Sequence, residues 1–157
     1  MRSQPAYEFA DSMDKMAGVL EASFPELLKA VEPLVEDAVI ENFARQESPE
    51  GVAWPERKKL GDGHPLLVET QTEGSGSLFG AATGQAGGHV SRIEGDTLIF
   101  GVDKDGGIGG IPGAGVHNYG YPEKNIPQRE FLGVSEEGFG PIDDLITNRC
   151  DDLIGTA

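Results

Sequence analysis

Histidine and cysteine are the side chains best able to bind a transition metal or to supply a nucleophile, and the chain has three histidines and one cysteine. Structural zinc sites place such ligands in closely spaced pairs along the sequence. The residues here are far apart, which predicts no metal site: His64, His89, His117 and Cys150. A single cysteine forms no internal disulfide, so we expect a reducing compartment.

A glycine-rich stretch at residues 105–115 is the next candidate, because glycine lets a backbone approach a phosphate closely. Counted from Gly107, the third glycine of a dinucleotide-binding G-x-G-x-x-G would fall on Pro112, which has no N–H to donate. Gly107 also stands where the phosphate loop G-x-x-x-x-G-K-[ST] needs lysine. The stretch therefore predicts a long loop rather than a nucleotide site.

Two further catalytic or binding patterns are incomplete. Ser135 has Gly133 before it, but Glu137 stands where the nucleophile motif G-x-S-x-G needs its second glycine. Residues 103–106 (DKDG) resemble the start of a calcium loop, yet the glutamate that closes such a loop is missing. We predict no catalytic residue, no cofactor and no metal ion, and a protein that is not an enzyme. A small hydrolase is the remote alternative.

The charge and length of the chain exclude other classes. It has 157 residues, with 27 acidic and 12 basic side chains, giving a net charge of -15. Nucleic-acid-binding proteins carry basic patches that neutralise phosphates, so sequence-specific DNA binding is not expected. No apolar run reaches the roughly 20 residues of a membrane span, so we expect no membrane segment. The length fits one domain over residues 1–157.

The elements that would position these residues begin with a helical region at residues 5–47. Apolar residues recur there at helical spacing. Ser23 and Glu26 form a capping-box pattern, which predicts that a second helix starts at Ser23. Pro33 lies inside that second helix and predicts a kink, because proline removes a backbone hydrogen bond.

Residues 52–134 are predicted to be rich in strands and loops. Alternation at residues 89–93 and a β-branched run at residues 97–102, separated by turn-forming residues, predict a β-hairpin. Polar and glycine-rich composition predicts mobile loops at residues 58–64 and 80–88.

The last third of the chain predicts shorter elements and a final helix. Residues 114–120 indicate a helical turn closed by glycine, residues 121–128 an extended segment, and residues 130–134 a strand. Residues 135–154 have the apolar spacing of a C-terminal helix. The predicted fold class is α+β, with N-terminal helices and a C-terminal helix packed on a small antiparallel sheet with long glycine-rich loops.

Aromatic, proline and glycine residues recur in a recognisable order in two segments. The first is Phe43 followed by SPEGVAWP at residues 48–55. The second is PLLVET at residues 65–70, followed by SGSL at residues 75–78.

A third segment completes the pattern, with VHNYG at residues 116–120 and IPQREFLG at residues 126–133. Together the three segments resemble the phage virion morphogenesis family, the Mu-like tail-completion proteins. The corresponding patterns of that family are F…P-x-G-x-x-W, P-L-L-x-T-G-x-L-x-x-S, Y-A-x-x-H-x-x-G and I-P-x-R-x-F-L-G. The chain departs from them at Gln71, where the family has glycine, and at Gly113-Ala114, where it has tyrosine-alanine.

The resemblance implies a structural protein of a tailed phage or prophage. Such a protein would complete or terminate the tail at its head-proximal end, or join head to tail at the neck, as a homo-oligomeric ring. Its partners would be other phage structural proteins, and it would reside in the virion after assembly in the host cytoplasm. The alternative is an assembly factor that does not stay in the virion. The acidic charge would suit a ring whose lumen lets DNA pass without holding it.

Three of the residues in these segments are expected to shape the core. Trp54 is predicted to join the helical region to the rest of the fold, in the core or at an interface. Pro127 fixes an extended backbone and disfavours helix at Ile126. Phe131 is predicted to anchor its segment in the core.

Three further residues are candidates for polar contacts. His117 and Tyr119 are predicted to hydrogen-bond residues 126–133. Arg129 offers a planar fork for a carboxylate, either within the subunit or across a ring interface.

Overall fold

A computed structural model describes residues 6–56, 66–67, 78–103 and 113–155 of the chain. Side chains are described from Met13 onward. Within this part the chain forms four α-helices, one short 3-10 helix and one two-stranded antiparallel sheet. The fold is α+β, as predicted.

Helix α1 is a single element, Ala6–Arg45, of 40 residues. The prediction of two helices is wrong, because Ser23 does not cap a new helix: its hydroxyl donates a 2.7 Å bond to the Leu20 carbonyl, one turn back in the same helix. The helix also continues through Pro25 and Pro33. A kink at Pro33 stays a prediction.

A tight turn follows α1 and returns the chain to the helix end. The Gly51 N–H donates a 2.8 Å backbone bond to the Ser48 carbonyl, which closes the turn. The Trp54 N–H donates to the Gln46 carbonyl at 2.8 Å, so the chain after the turn is tied to the last residues of the helical region.

Helix α2, Leu78–Ala82, occupies the start of the segment that we predicted to be a mobile loop at residues 80–88. That prediction is wrong for this part, because Gly80, Ala81 and Ala82 are buried. Small side chains allow close packing, so the composition that suggested mobility serves the core here. The loop predicted at residues 58–64 lies outside the described residues.

The predicted hairpin is confirmed as strands β1, His89–Glu94, and β2, Thr97–Val102. The strands pair antiparallel, with Glu94 opposite Thr97, and leave a two-residue turn. Most of the glycine-rich stretch at residues 105–115 lies outside the described residues. Its last three residues are helical where we predicted a loop, since they begin helix α3, Gly113–Tyr119, which confirms the helical turn predicted at residues 114–120.

The chain after α3 is less regular than predicted. The segment at residues 121–128 is not extended throughout, because Pro122–Lys124 form a 3-10 turn. Residues 130–134 form no strand. Helix α4, Glu136–Gly155, confirms the predicted C-terminal helix. Its first turn is capped by Ser135, whose hydroxyl accepts the Gly138 N–H at 3.0 Å.

Aromatic side chains form the centre of the core. The Phe43 ring lies 5.5 Å from that of Trp54, 5.4 Å from that of Phe79 and 5.2 Å from that of Phe131. Phe100 of β2 packs against the same cluster. The core thus joins the C-terminal half of α1, the hairpin and the irregular chain before α4. Its buried members are Val39, Phe43, Trp54, Ala82, Ala114 and Phe131.

Candidate functional site

Residues 126–134, which we call the central segment, contain the strongest motif of the sequence and lie at the centre of the described fold. Phe131 is completely buried, which confirms its predicted place in the core. Pro127 is half-buried and follows Ile126, whose backbone pairs with Tyr121 as an isolated bridge. The proline therefore stands in non-helical chain, as expected.

Two buried asparagines take the place of a neighbouring strand. The Asn118 side-chain oxygen accepts the N–H groups of Phe131 and Leu132 at 3.0 and 3.1 Å. The Asn42 amide donates to the carbonyls of Phe131 and Gly133 at 3.2 and 3.0 Å. Buried backbone groups need partners, and these side chains supply them, so the segment needs no sheet.

Sequence reasoning missed both asparagines as functional positions. Asn42 is 6% exposed and Asn118 4% exposed. Asn42 interrupts the apolar stripe of α1, and a polar residue on a core-facing helix position is a signal of a buried hydrogen bond. Asn118 gave no comparable signal, because it lies in a seven-residue helix with little periodicity.

Trp54 and Arg129 tie the central segment to the chain that follows α1. Trp54 is buried, and its indole N–H donates to the Glu130 carbonyl at 2.9 Å. The Nε and Nη2 of Arg129 both donate to the Pro55 carbonyl, at 3.0 and 2.9 Å. Nη2 also reaches the Glu56 carbonyl at 3.4 Å. The acceptors of these hydrogen bonds of the buried guanidinium are backbone carbonyls, whereas we predicted a carboxylate.

His117 contacts the central segment through its backbone rather than its ring. Its carbonyl accepts the Arg129 N–H at 2.8 Å. Its Nδ1 is buried and has no hydrogen-bond partner among the described residues. Burial, and secondarily the charge of Arg129, lowers the pKa of His117 below its usual value. Both effects disfavour the protonated form of the ring.

Tyr119 is 74% exposed and lies at the surface, where it lines an open pocket together with Ile126, Pro127 and Gln128 of the central segment. The side-chain hydrogen bonds to the central segment that we predicted for Tyr119 are accepted instead by the preceding residue, Asn118.

Two glycines let other parts of the chain approach the central segment closely. Gly133 has φ +154°, and a Cβ there would lie 2.5 Å from Cγ of Pro49. Gly120 has φ +76°, and a Cβ there would lie 2.8 Å from the Gln128 nitrogen. Any side chain at either position would collide with its neighbour.

An open groove of about 600 Å³ lies beside the central segment, at the start of α4. Its charged lining is acidic except for Arg45, which pairs with Glu41 at 2.6 Å and with Glu137 at 3.4 Å. Within the described ranges, no three His, Cys, Asp or Glu side chains converge on a point that could hold a metal. The glutamates of the groove are Glu41, Glu47, Glu50, Glu130, Glu136 and Glu137.

Comparison with protein-family models, with curated proteins and with solved structures finds no match to this chain. Among the described helices, none is long and apolar enough to cross a membrane.

Proposed function

We propose that this chain is a structural protein of a tailed phage that acts in virion assembly. It would complete or terminate the tail at the head-proximal end, or join head to tail at the neck, as a ring of identical subunits. The proposal rests on the resemblance of three sequence segments to the phage virion morphogenesis family.

The observation that carries the proposal is that these three segments meet in space. Phe43 and Trp54 of the first segment contact each other, and Phe43 contacts Phe131 of the third segment. Leu66 and Leu78 of the second segment pack against the same core. Motif residues that are scattered in sequence but converge in the fold are what a shared architecture requires.

Polar contacts join the same segments. Gln46, at the end of α1, accepts the Leu66 N–H through Oε1 at 2.6 Å and donates to the Leu66 carbonyl at 3.3 Å. Arg129 of the third segment binds the Pro55 carbonyl of the first segment. The motif residues are thus mutually dependent parts of one scaffold, which favours a structural role over a catalytic one.

The acidic surface supports one detail of the ring hypothesis. Exposed acids on α1 and α4 include Asp37, Asp143 and Asp144. Acids on the inner wall of a ring would repel the DNA backbone and let it slide. Mapping these residues on the assembled ring by electron microscopy tests the idea, and a basic lumen with the acids outside would overturn it.

The main experiment mixes the purified chain with tail tubes from the phage or prophage that encodes it. We expect a ring at one end of the tubes by electron microscopy and a matching gain of mass by sedimentation. An unrelated protein of equal size and similar negative charge serves as the control. A chain that stays monomeric and does not associate with the tubes would overturn the proposal.

Protein analysis of purified particles separates the two assembly roles. A tail-completion or neck protein remains in the particle, whereas an assembly factor is absent from it. The remote hydrolase alternative predicts turnover of small ester or glycoside substrates, which would be lost on neutralising glutamates of the groove, such as Glu130→Gln.

A further inference from the structure

The apolar stripe of α1 continues beyond the part of the helix that is packed in the fold. Its members recur every three or four residues and therefore share one face. The stripe is buried at Leu27 and Val31, whereas Met13 is 49% and Phe24 41% exposed. Its members from residue 13 onward are Met13, Met16, Leu20, Phe24, Leu27, Val31, Leu34 and Ala38.

Helix α4 covers only the C-terminal half of this stripe. It runs antiparallel to α1: Glu137 pairs with Arg45 at 3.4 Å and Gly138 lies beside Ala38, while further along, the charge of Arg149 adds a little to the lowering of the Glu26 pKa that Lys29 mainly causes. Counted from Ala38 beside Gly138, the last residue of α4 lies opposite about residue 21 of α1, so the roughly 60 Å long α1 extends beyond α4 on the N-terminal side of that point. We call residues 13–24 of α1, which comprise the turn beside the end of α4 and the helix beyond it, the overhang.

Contacts of α2 and of the hairpin with α1 lie nearer the C-terminal end of α1, where the Phe79 ring packs against the Phe43 ring. Ser91 of β1, for example, donates a hydrogen bond to Glu32. The apolar residues of the overhang have the same helical spacing as those that pack against α4. The overhang therefore presents a face on which a second helix could pack in the same way. Apolar faces of this kind, when exposed, mark interaction sites.

The border of the overhang is acidic on one side. Asp14 and Glu21 are exposed and lie roughly 100–120° around the helix from the centre of the stripe, and the exposed Lys15 lies further round, towards the back of the helix. The opposite border carries Val19 and Ser23, which are uncharged. An occupant that covers the stripe must therefore place one of its edges against two carboxylates.

We propose that the overhang binds an amphipathic helix of another protein, with an apolar face over Met13, Leu20 and Phe24 and with lysine or arginine along the edge that meets Asp14 and Glu21. The apolar face supplies the affinity, and the charged edge sets the orientation and the choice of partner. The proposal goes beyond the proposed function and does not depend on it.

A second copy of the chain is a poorer occupant. Two overhangs packed antiparallel would place the acidic border of one copy against the acidic border of the other. Like charges that face each other across an interface oppose binding, and the net charge of -15 adds to the repulsion. A partner with basic residues along that edge avoids both the local repulsion between the acidic borders and the repulsion between the net charges.

The test uses the full chain and three synthetic peptides of about 20 residues. The first is an amphipathic helix with lysine along one edge, the second has glutamate at those positions, and the third has the composition of the first in scrambled order. Binding is measured by fluorescence anisotropy at low and high salt. We expect the lysine peptide to bind best and to weaken as salt screens the charged edge.

Substitutions on the protein then locate the site. Phe24→Ser should weaken binding of the lysine peptide about tenfold, whereas Phe139→Ser, which removes an aromatic ring of α4 that is 55% exposed against 41% for Phe24, should leave binding unchanged. Asp14→Asn with Glu21→Gln should reduce the salt dependence while keeping the apolar contribution. Unfolding curves of each variant verify that the fold is retained.

Three outcomes would overturn the proposal. Equal binding of the scrambled peptide would show attraction to the overall charge, and equal binding of the glutamate peptide would show that the acidic border plays no role. The third outcome is self-association, which is measured by sedimentation of the protein alone. If Phe24→Ser abolished self-association and Phe139→Ser preserved it, the partner bound at the overhang would be a second copy of the chain. A ring on tail tubes in the absence of peptide binding would leave the proposed function standing.

Discussion

The central segment and the overhang show that a regular backbone and buried side chains do not go together in this protein. The central segment has no helix or strand, yet Phe131 is fully buried and its backbone is bonded by two asparagine side chains. The overhang is continuous α-helix, yet Phe24 is 41% exposed. Backbone regularity is a local property, whereas burial depends on what the rest of the chain places nearby. The central segment is therefore more firmly packed than the overhang, although its backbone is irregular.

The largest expected difference between the regions comes from removing one phenylalanine from each. Phe131→Ala should cost about 3–5 kcal/mol of unfolding free energy, because the lost ring leaves a cavity among Phe43 and its neighbours. Phe24→Ala should cost clearly less, about 1 kcal/mol, since the residue is already 41% exposed in the folded chain. Urea unfolding of both variants measures the difference. Equal losses would mean that the overhang is packed as firmly as the core.

Removing the side-chain partner of the central segment should have the next largest effect. Asn118→Ala leaves the N–H groups of Phe131 and Leu132 buried without an acceptor, at a cost of about 2–3 kcal/mol. Asn148→Ala on the exposed face of α4 is the matched control and should change stability by less than about 0.5 kcal/mol. Similar unfolding midpoints for the two variants would contradict the role assigned to Asn118.

Glycine substitutions should act in opposite directions in the two regions. Gly133→Ala forces a Cβ to 2.5 Å from the Pro49 ring at a positive φ, and should destabilise by about 1–3 kcal/mol. Gly18→Ala, in the overhang with open space around it, should stabilise by about 0.5–1 kcal/mol because alanine favours helix. Thermal unfolding shows whether the two shifts have opposite signs. A tolerated alanine at residue 133 would refute the close contact.

The smallest effect is a pH dependence confined to the central region. Burial holds the pKa of His117 below its usual value in the folded chain, whereas the unfolded chain titrates near the ordinary value of about 6.5. As the pH falls below about 6.5, the unfolded state binds the extra proton first, so stability decreases by less than about 1.4 kcal/mol per pH unit. Once the pH is well above about 6.5, the His117 ring binds no extra proton in either state, so it no longer changes the stability with pH.

His117→Gln is the control for this titration, because glutamine carries no titratable proton. The difference between the unfolding free energies of the wild type and of His117→Gln should be constant above pH 7 and should change as the pH approaches 5. Taking the difference cancels the carboxylates common to both proteins. A flat difference over this range would mean that the His117 ring titrates alike in both states.

Much of the fold was readable from local patterns. The hairpin at β1 and β2 follows from alternation and a two-residue turn, and α4 follows from apolar spacing with Ser135 as its cap. The errors arose where a local signal was ambiguous. Ser23 looks like a cap in sequence, but a serine inside a helix can bond one turn back. The apolar residues at 130–134 suggested a strand, but the partner that satisfies their backbone is a side chain, Asn118.

The candidate site was only partly predictable for the same reason. Trp54 and Phe131 were identified from the large apolar area that their rings bury, and Arg129 from its planar fork of hydrogen-bond donors. The hydrogen-bond acceptors of Trp54 and Arg129 were not predicted, because they are the backbone carbonyls of Glu130 and Pro55, which no sequence pattern marks. Asn118 and Gly133 also matter through contacts with residues that are distant in the chain.

The sequence by itself determined the charge of the chain, its α+β class, the periodic stripe of α1 and the resemblance of three segments to one family. Only the tertiary structure decided which half of that stripe is core and which is surface, because burial depends on the length of α4 against that of α1. It also decided that the three motif segments share one core. The physical reason is that spacing fixes the direction in which a side chain points, whereas a hydrogen bond or a packed ring needs a second group from elsewhere in the chain.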